Sequence, residues 1–442
     1  MKKNRYVIIS AFIASLGGLL FGFDTAVISG AEKTIQELFN LDGFWHGFTV
    51  AIALIGTLIG ALISGKPADS MGRKKSLMVI AVLYTVSALG SALTVTWMGF
   101  IVYRFLGGIA VGASSVIGPM YIAEIAPAHL RGRLGTAFQL NIVGGILLSY
   151  FSNYWISNIV AVDSWRWMLG VLSVPSVIFF FLLFYIPDSP RWLVLKNRLH
   201  DAEAVLRRIG SPDPLKEVHE IENSVSKKDV TKRENLFIKK YRLPIILAIL
   251  VAMFNQLSGI NAIMYYAPRI FELVGFARNS ALLQSVSVGI TLFIFTVVGM
   301  VLVDRVGRKK LLLVGAVGMT FFLGLVAKTI FTTSNSGFWM LIYLSGFIAF
   351  FAFSQGTVIW VFISEIFPNS VRAKGQTLGS FTHWTMSVII SWVFPLFAEN
   401  NLTGYVFSFF SVAMLLQFFI VWRFFPETKG KTLEKIQMEM IS

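Results

Sequence analysis

The sequence predicts an all-α integral membrane protein, and its composition, its long apolar stretches and an internal repeat support this fold class. Of its 442 residues, 55% are hydrophobic and 14% are charged, and the mean hydropathy is +0.71. Soluble proteins carry about 45–50% apolar and about 25% charged residues, so these charges could not cover the surface of a soluble protein of this length. The absence of cysteine excludes disulfides, thiolate metal sites and cysteine nucleophiles.

Twelve stretches are long and apolar enough to cross a bilayer, which requires roughly 20 residues. Trimmed at turn signals, they predict helices over residues 7–30, 46–65, 76–97, 99–122, 136–158, 167–186, 244–268, 281–303, 311–331, 338–363, 376–398 and 403–424. No alternating pattern of the kind found in membrane β-barrels is present.

The positions of lysine and arginine predict the orientation in the membrane. With the N-terminus inside, 32 of the 38 basic residues fall in cytoplasmic segments, as the positive-inside rule requires. Both termini are therefore expected in the cytoplasm of a cell-membrane protein. The net charge of +15 reflects topology and attraction to lipid headgroups, so nucleic-acid binding is not needed to explain it.

Three loop motifs recur once each, in the same order and at nearly the same separation. The run beginning at Asp69 matches the run beginning at Asp304, 235 residues later. Glu124-Ile125-x-Pro127 matches Glu365-Ile366-x-Pro368 after 241 residues, and Pro187-Asp188 matches Pro426-Glu427 after 239. The chain is thus expected to contain two pseudo-symmetric six-helix bundles, 1–186 and 244–424, a cytoplasmic helical linker, 187–243, and a cytoplasmic tail, 425–442. Parallel repeats of this kind favour alternating access around a central site.

Asp24 and Arg104 are the acidic and basic residues that lie deep within predicted spans. Their distances from the outer ends of helices 1 and 4 place them at the same depth, so we expect an ion pair. Arginine stabilises an ionised carboxylate, whereas low-polarity surroundings favour the neutral form, so such a pair suits a group that gains and loses a proton. A static structural ion pair is the alternative, although apolar packing would stabilise the fold without the free-energy cost of removing two charges from water.

A second set of candidate residues is polar or aromatic but uncharged. Amide groups donate and accept hydrogen bonds at once, and aromatic faces stack on apolar C–H surfaces, a combination that suits a neutral polyol. Amides also join helices to one another and tryptophan marks membrane interfaces, but the clustering in helices 5, 7, 10 and 11 favours a binding site. The candidates are Gln139, Asn255, Gln256, Asn261, Tyr265, Trp360, His383 and Trp384.

The motifs of the chain resemble those of the sugar porter family of the major facilitator superfamily, over nearly its whole length. They include the run from Gly17 to Gly30, Arg131-Gly132-Arg133, Pro187-Asp188-Ser189-Pro190-Arg191-Trp192-Leu193, Asp304-Arg305-x-Gly307-Arg308 and Pro426-Glu427-Thr428-Lys429-Gly430. The resemblance implies the two-bundle family fold with short intracellular helices. It also implies a monosaccharide site lined by the amide and aromatic candidates, with Phe21 nearby.

The resemblance further implies that charged cytoplasmic clusters lock the outward-facing state through salt bridges. The implied lock residues are Asp69, Arg73, Glu124, Arg131, Asp188, Arg191, Asp304, Arg308, Glu365, Arg372 and Glu427. An acid at the position of Asp24 is what proton-coupled members of the family carry, whereas facilitators usually have asparagine there.

The chain departs from the family pattern at several positions. They are Ser70 in the first turn motif, Ile146 in helix 5, Asn255 in helix 7, Leu292 in helix 8, and His383 and Ser387 in helix 11. Several of these changes remove or replace sugar-binding amides.

We therefore predict a secondary active transporter, active as a monomer, that imports a hexose or pentose with a proton. The alternatives are a sugar facilitator, in which Asp24 and Arg104 are purely structural, and a non-transporting sugar sensor. No catalytic constellation, metal-ligand cluster or phosphate loop appears, so neither an enzyme nor a cofactor is expected.

Overall fold

The computed structural model describes residues 2–228, 234–332, 337–368 and 370–431. Within these residues, twelve helical segments are long and apolar enough to cross a membrane, as predicted. Numbered in chain order, spans 1 to 12 are Arg5–Leu38, Gly43–Ile63, Arg73–Leu93, Trp97–Ile125, Leu130–Ile159, Ser164–Tyr185, Lys239–Glu272, Arg278–Val306, Arg308–Thr332, Gly337–Ile366, Arg372–Glu399 and Thr403–Phe424.

The described part of the chain is helical, with no β-strand. Up to residue 228 its helices are α1 (Lys2–Leu38), α2 (Gly43–Ile63), α3 (Gly65–Met71), α4 (Arg73–Leu93), α5 (Trp97–Ile125), α6 (Ala128–Ile159), α7 (Ser164–Gly170), α8 (Ser173–Leu182), α9 (Pro190–Leu195), α10 (Leu199–Ile209) and α11 (Pro214–Lys228). After it come α12 (Arg242–Leu257), α13 (Ile260–Glu272), α14 (Arg278–Val306), α15 (Arg308–Thr332), α16 (Gly337–Phe353), α17 (Gln355–Ile366), α18 (Arg372–Glu399) and α19 (Thr403–Phe424).

Three spans are interrupted, although the sequence predicted each of them as one continuous helix. Span 6 breaks before α8, which has Pro175 in its first turn, where the missing N–H and the ring oppose an uninterrupted helix. Span 7 breaks at Gly259, whose φ of +81° is left-handed, and span 10 breaks at Ser354. Span 1 also extends eight residues beyond its predicted end at residue 30.

The turns that precede spans 3 and 9 have the same local structure, as the repeated motif predicts. Gly72 and Gly307 have φ values of +92° and +104°, a region that residues with a Cβ rarely adopt. Each is followed by the arginine that opens the next helix, Arg73 or Arg308.

Two compact units are distinguished by their internal contacts. The first comprises Met1–Val27, Ile52–Ser149 and Val162–Lys232. Within it, helices α9 to α11 pack around Trp192 and Leu206 in a small apolar cluster that also contains Val7 of span 1. The described residues of this unit between spans 6 and 7, 186–228, are therefore a packed helical element.

The second unit comprises Ile28–Ala51, Tyr150–Ala161 and Arg233–Ser442, of which residues 432–442, in the predicted tail, lie outside the described residues. One of its apolar clusters includes Tyr241, Val251, Phe362 and Phe425. This unit combines the second sequence half with the end of span 1, the beginning of span 2 and the end of span 5.

Candidate functional site

Asp24 and Arg104 form the ion pair that the sequence predicts. The Nη1 atom of Arg104 lies 2.7 Å from Oδ1 of Asp24, and Nη2 donates to the backbone oxygen of the same residue at 3.4 Å. Each residue is only 2% exposed. The Nε atom of Arg104 has no hydrogen-bond partner among the described residues, so Asp24 supplies the main electrostatic compensation for this buried charge.

A connected set of amide groups lies where span 7 is interrupted. Gln256 donates to Oδ1 of Asn255 at 3.0 Å, and its Oε1 accepts a hydrogen bond of 2.9 Å from Asn261. The intervening Gly259, with its φ of +81°, leaves the helical path, which allows side chains from α12 and α13 to meet. The break therefore brings three of the sequence-predicted binding residues into one network.

Span 11 contributes its polar and aromatic candidates to the same network. The Nε2 atom of Gln256 lies 3.3 Å from the ring nitrogens of His383. The ring of His383 lies 5.0 Å, centre to centre, from each of the indoles of Trp360 and Trp384. Amide, imidazole and aromatic groups are thus assembled within the second unit, where Tyr265 is also buried.

The remaining two binding candidates, Phe21 and Gln139, belong to the first unit. Gln139 is half-buried, and its amide makes no hydrogen bond within the part of the chain that the structure describes. This leaves the amide free to bind a polar ligand. Phe21 is also half-buried, on α1 three residues before Asp24.

The charged turns predicted as a conformational lock form matching networks in the two units. In the first unit, Arg73 Nε lies 2.9 Å from Glu124, which accepts a hydrogen bond of 2.5 Å from Ser189. In the second, Arg308 lies 2.8 Å from Glu365, which accepts one of 2.6 Å from Thr428.

The turn aspartates join these networks through i,i+4 ion pairs, of 3.1 Å from Asp69 to Arg73 and 3.3 Å from Asp304 to Arg308. Glu427 accepts hydrogen bonds from the backbone N–H groups of Arg308 and Lys309. In the described residues, the remaining predicted lock residues form no ion pair: Arg131, Asp188, Arg191 and Arg372.

Two features of the structure were not among the predicted sites. Ser387 accepts a hydrogen bond from Asn261, so this departure from the family pattern joins the amide network. Glu32 of span 1 and His46 of span 2, which are both buried, also form a polar cluster with the partly exposed Arg269 of span 7. Because His46 lies near the end of a predicted span, nothing in the sequence indicated that it contacts Glu32 and Arg269.

These features define a multi-pass helical membrane protein with a buried ion pair and a polar, aromatic site within its spans. The family described as "Sugar (and other) transporter" matches residues 10–440. The chain belongs to this family, whose members are transporters rather than enzymes.

Relatives and a solved structure agree with this assignment. The chain is 38% identical to the arabinose-proton symporter of Bacillus subtilis, over 98% of this chain and 94% of the relative. It is 37% identical to the D-xylose-proton symporter of Escherichia coli, over 98% and 96%. The xylose transporter XylE of E. coli, solved in a partially occluded inward-open conformation, matches with a TM-score of 0.86 and 35% identity, over 97% of this chain and 100% of that one. The predicted fold class, twelve spans of the major facilitator type, is confirmed.

Proposed function

We propose that this protein is a secondary active transporter that imports a hexose or pentose together with a proton by alternating access. The observation that carries the proposal is the buried ion pair between Asp24 and Arg104. Proton coupling explains why the protein bears the free-energy cost of burying these two charged side chains within a membrane. The relatives named as proton symporters of arabinose and D-xylose support the same conclusion.

The orientation that we propose places both termini in the cytoplasm of a cell-membrane protein. The excess of basic residues in the turns that follow the even-numbered spans supports it. We further propose that the six-helix bundles, linker and tail have the boundaries predicted from the sequence, and that a monomer surrounded by lipid is the active form.

The chemistry of the ion pair explains how a proton could be linked to movement. When Asp24 takes up a proton, the carboxyl loses the charge that compensates Arg104. A buried arginine without a counter-charge costs several kcal/mol, so the protonated protein favours an arrangement in which Arg104 gains new partners or water. Release of the proton restores the pair, and the cycle returns to its starting state.

The amide network supplies the groups needed for a neutral sugar. Gln256 and Asn261 offer both donors and acceptors to hydroxyl groups, and Trp360 and Trp384 offer flat faces to the C–H surface of a sugar ring. We propose that these residues bind the monosaccharide with Asn255, Tyr265 and His383 of the second unit and Phe21 and Gln139 of the first.

The test is uptake of radiolabelled xylose, arabinose, glucose and galactose into proteoliposomes, with and without an inward proton gradient. The wild-type protein is compared with Asp24→Asn, which retains the shape of the side chain but cannot carry the proton. Exchange of internal for external sugar is measured in parallel, because exchange needs no net movement of protons.

We expect the gradient to drive accumulation of at least one sugar by the wild-type protein, and Asp24→Asn to retain exchange only. If both proteins merely equilibrate a sugar across the bilayer, the protein is a facilitator and the ion pair is structural. If a sugar binds but none crosses, the sensor alternative replaces the transporter.

A further inference from the structure

Three ionisable side chains, two of them buried, form a cluster that the proposed transport mechanism does not use. The Oε2 atom of Glu32 lies 2.8 Å from Nε2 of His46 and 3.4 Å from Nη1 of Arg269. Glu32 is 2% exposed and His46 is 0% exposed, whereas the side chain of Arg269 is 19% exposed. Burying such groups is costly unless they are paired, and this cluster has no part in sugar binding as proposed above.

The hydrogen-bonding groups around His46 fit a neutral imidazole. Nη1 of Arg269 lies 3.5 Å from Nδ1 of His46 and donates to Oε1 of Gln36 at 2.8 Å. With Nδ1 facing a donor and Nε2 facing a carboxylate, the proton belongs on Nε2. Glu32 and Arg269 then balance each other, and the cluster carries no net charge.

Other charged and titratable groups near the cluster either have partners of their own or are exposed. Lys33 pairs with Glu272 at 2.5 Å, Glu399 accepts from Gln36 at 2.5 Å and Arg278 donates to Thr34 at 2.7 Å. The carboxylate of Asp42 accepts from the N–H of Trp45, and the exposed Glu37 lies one turn beyond Lys33 on α1. The ring of Tyr266 packs edge-on against His46, at 5.9 Å, and its hydroxyl donates to the backbone of Ser391.

The cluster connects spans from both halves of the sequence. Glu32 is on α1 and His46 is on α2, whereas Arg269 is on α13, the segment of span 7 that also carries Asn261 and Tyr265. With the orientation proposed above, the cluster lies toward the external end of these spans. A sugar entering from outside would require α13 to separate from spans 1 and 2, and so would require the cluster to break.

We propose that Glu32, His46 and Arg269 form an external latch that binds a proton, an inference that rests on the alternating access and orientation proposed above. The latch is closed while His46 is neutral. A proton from external water adds to Nδ1 of His46, which then no longer accepts from Arg269. Two cations would then face one buried carboxylate, so Arg269 and α13 move away and the external side opens.

This site is separate from Asp24, which lies eight residues earlier on α1. Protonation of the latch prepares the empty transporter to receive sugar, whereas Asp24 carries the proton that crosses with it. External acid therefore protonates two separate sites, the latch and Asp24. A substitution at one site can remove its response to pH and leave the response of the other.

The experiment measures a distance across the latch by pulsed electron spin resonance in lipid nanodiscs. The chain contains no cysteine, so spin labels can be placed through Glu37→Cys and Ala277→Cys, two exposed positions, without removing native thiols. Asp24→Asn is included in every sample so that the coupling carboxyl does not titrate. The distance distribution is recorded without sugar from about pH 8 to about pH 5, the range in which histidine changes charge.

We expect acid to increase the longer-distance population several-fold in the protein with an intact latch. His46→Gln retains a donor toward Glu32 and an acceptor toward Arg269 but cannot take up the proton, so the short distance should persist at every pH. Glu32→Gln leaves Arg269 without its counter-charge and should give the longer distance even near neutral pH. Lys33→Gln, which removes the exposed ion pair between the same spans, is the matched control and should behave like the intact latch.

A pH response that survives in His46→Gln overturns the proposal, as does an intact latch whose distances do not respond to pH. If Glu32→Gln fails to fold, these two outcomes still decide the matter. Because the measurement needs no sugar, failure of the latch is distinguishable from failure of the proposed transport activity, which is read from uptake.

Discussion

At the scale of single residues, Gln256 is the side chain through which the candidate sugar site is connected. It contacts Asn255, Asn261 and His383, and it is almost fully buried. These contacts fix the orientation of the amide before the sugar arrives. A ligand that bonds to the amide would replace some of them. Such preorganisation reduces the cost of binding.

Gln256→Ala should weaken sugar binding by about 1–3 kcal/mol, roughly 5- to 150-fold in Kd, because it removes a hydrogen bond and leaves its partners unpaired. Isothermal titration with the sugar found in the uptake screen measures the change. Gln417→Ala is the control, since it removes another buried amide, bonded to Gln355, on a span that carries no candidate residue. Equal affinity of Gln256→Ala and the wild-type protein would argue against the site.

At the scale of elements, the sequence predicted where the spans lie better than where they break. Charge-free length is a local property and is visible in the sequence, so all twelve spans were found. The interruptions depend on packing around particular residues. The break at Gly259, for example, has a φ of +81°, and the ring of Phe410 occupies the space that a Cβ would need there; neither is visible in the sequence.

The candidate site shows the same division between local pattern and tertiary contact. The pairing of Asp24 with Arg104 was predictable because each charge costs free energy inside the membrane and the two residues lie at the same depth. The contact of Ser387 with Asn261 was not, since serine is common in membrane helices. The cluster of Glu32, His46 and Arg269 depends on three distant segments, none of which is unusual alone.

Gly259→Ala should destabilise the protein and weaken sugar binding. The residue has φ of +81°, and an added Cβ would lie 2.3 Å from the ring of Phe410. The strain should cost about 1–3 kcal/mol, and its relief would move Gln256 relative to Asn261. Thermal denaturation in detergent gives the first effect and sugar titration the second.

Gly132→Ala is the matched control, because a Cβ there meets nothing within 4 Å and the residue is helical. It should leave binding unchanged and stability equal or slightly higher, since alanine favours helix more than glycine does. If the two variants behaved alike, the break at Gly259 would not be needed to hold the site.

At the scale of the whole molecule, the duplication gives each half its own copy of a buried arginine network. Besides its glutamate, Arg73 bonds to the backbone oxygen of Ala68, and Arg308 bonds to that of Val303, five residues earlier in each case. The match extends to the hydroxyl that donates to each glutamate. Equal geometry at equivalent positions indicates that these networks stabilise the halves themselves.

Arg73→Ala should destabilise the protein strongly, because it leaves the half-buried Glu124 without its counter-charge. Breaking such a pair typically costs about 3–5 kcal/mol, and Arg308→Ala should act in the same direction through Glu365. The midpoint of thermal unfolding in detergent provides the measurement. Arg207→Ala removes an exposed helical ion pair with Glu203 and should change stability little, so a similar shift in both proteins would contradict the argument.

Arg131 and Arg372 occupy equivalent positions, 241 residues apart, and form no ion pair in the described residues. Arg372 bonds instead to the backbone oxygen of Phe367. We propose that these arginines pair with acids of the cytoplasmic clusters when the external side is open, and so hold the cytoplasmic side closed. Arg131→Ala combined with Arg372→Ala should then shift the transporter toward its inward-facing state.

The shift can be measured with spin labels at Thr136→Cys and Thr377→Cys, which are exposed, again 241 residues apart and hydrogen-bonded only within their own helices. Loss of the lock should enlarge the longer-distance population. Arg133→Ala with Lys374→Ala removes two basic residues at the neighbouring equivalent positions and should leave the distribution unchanged. An effect of the same size in this control would mean that total basic charge, rather than the two lock arginines, sets the balance between the states.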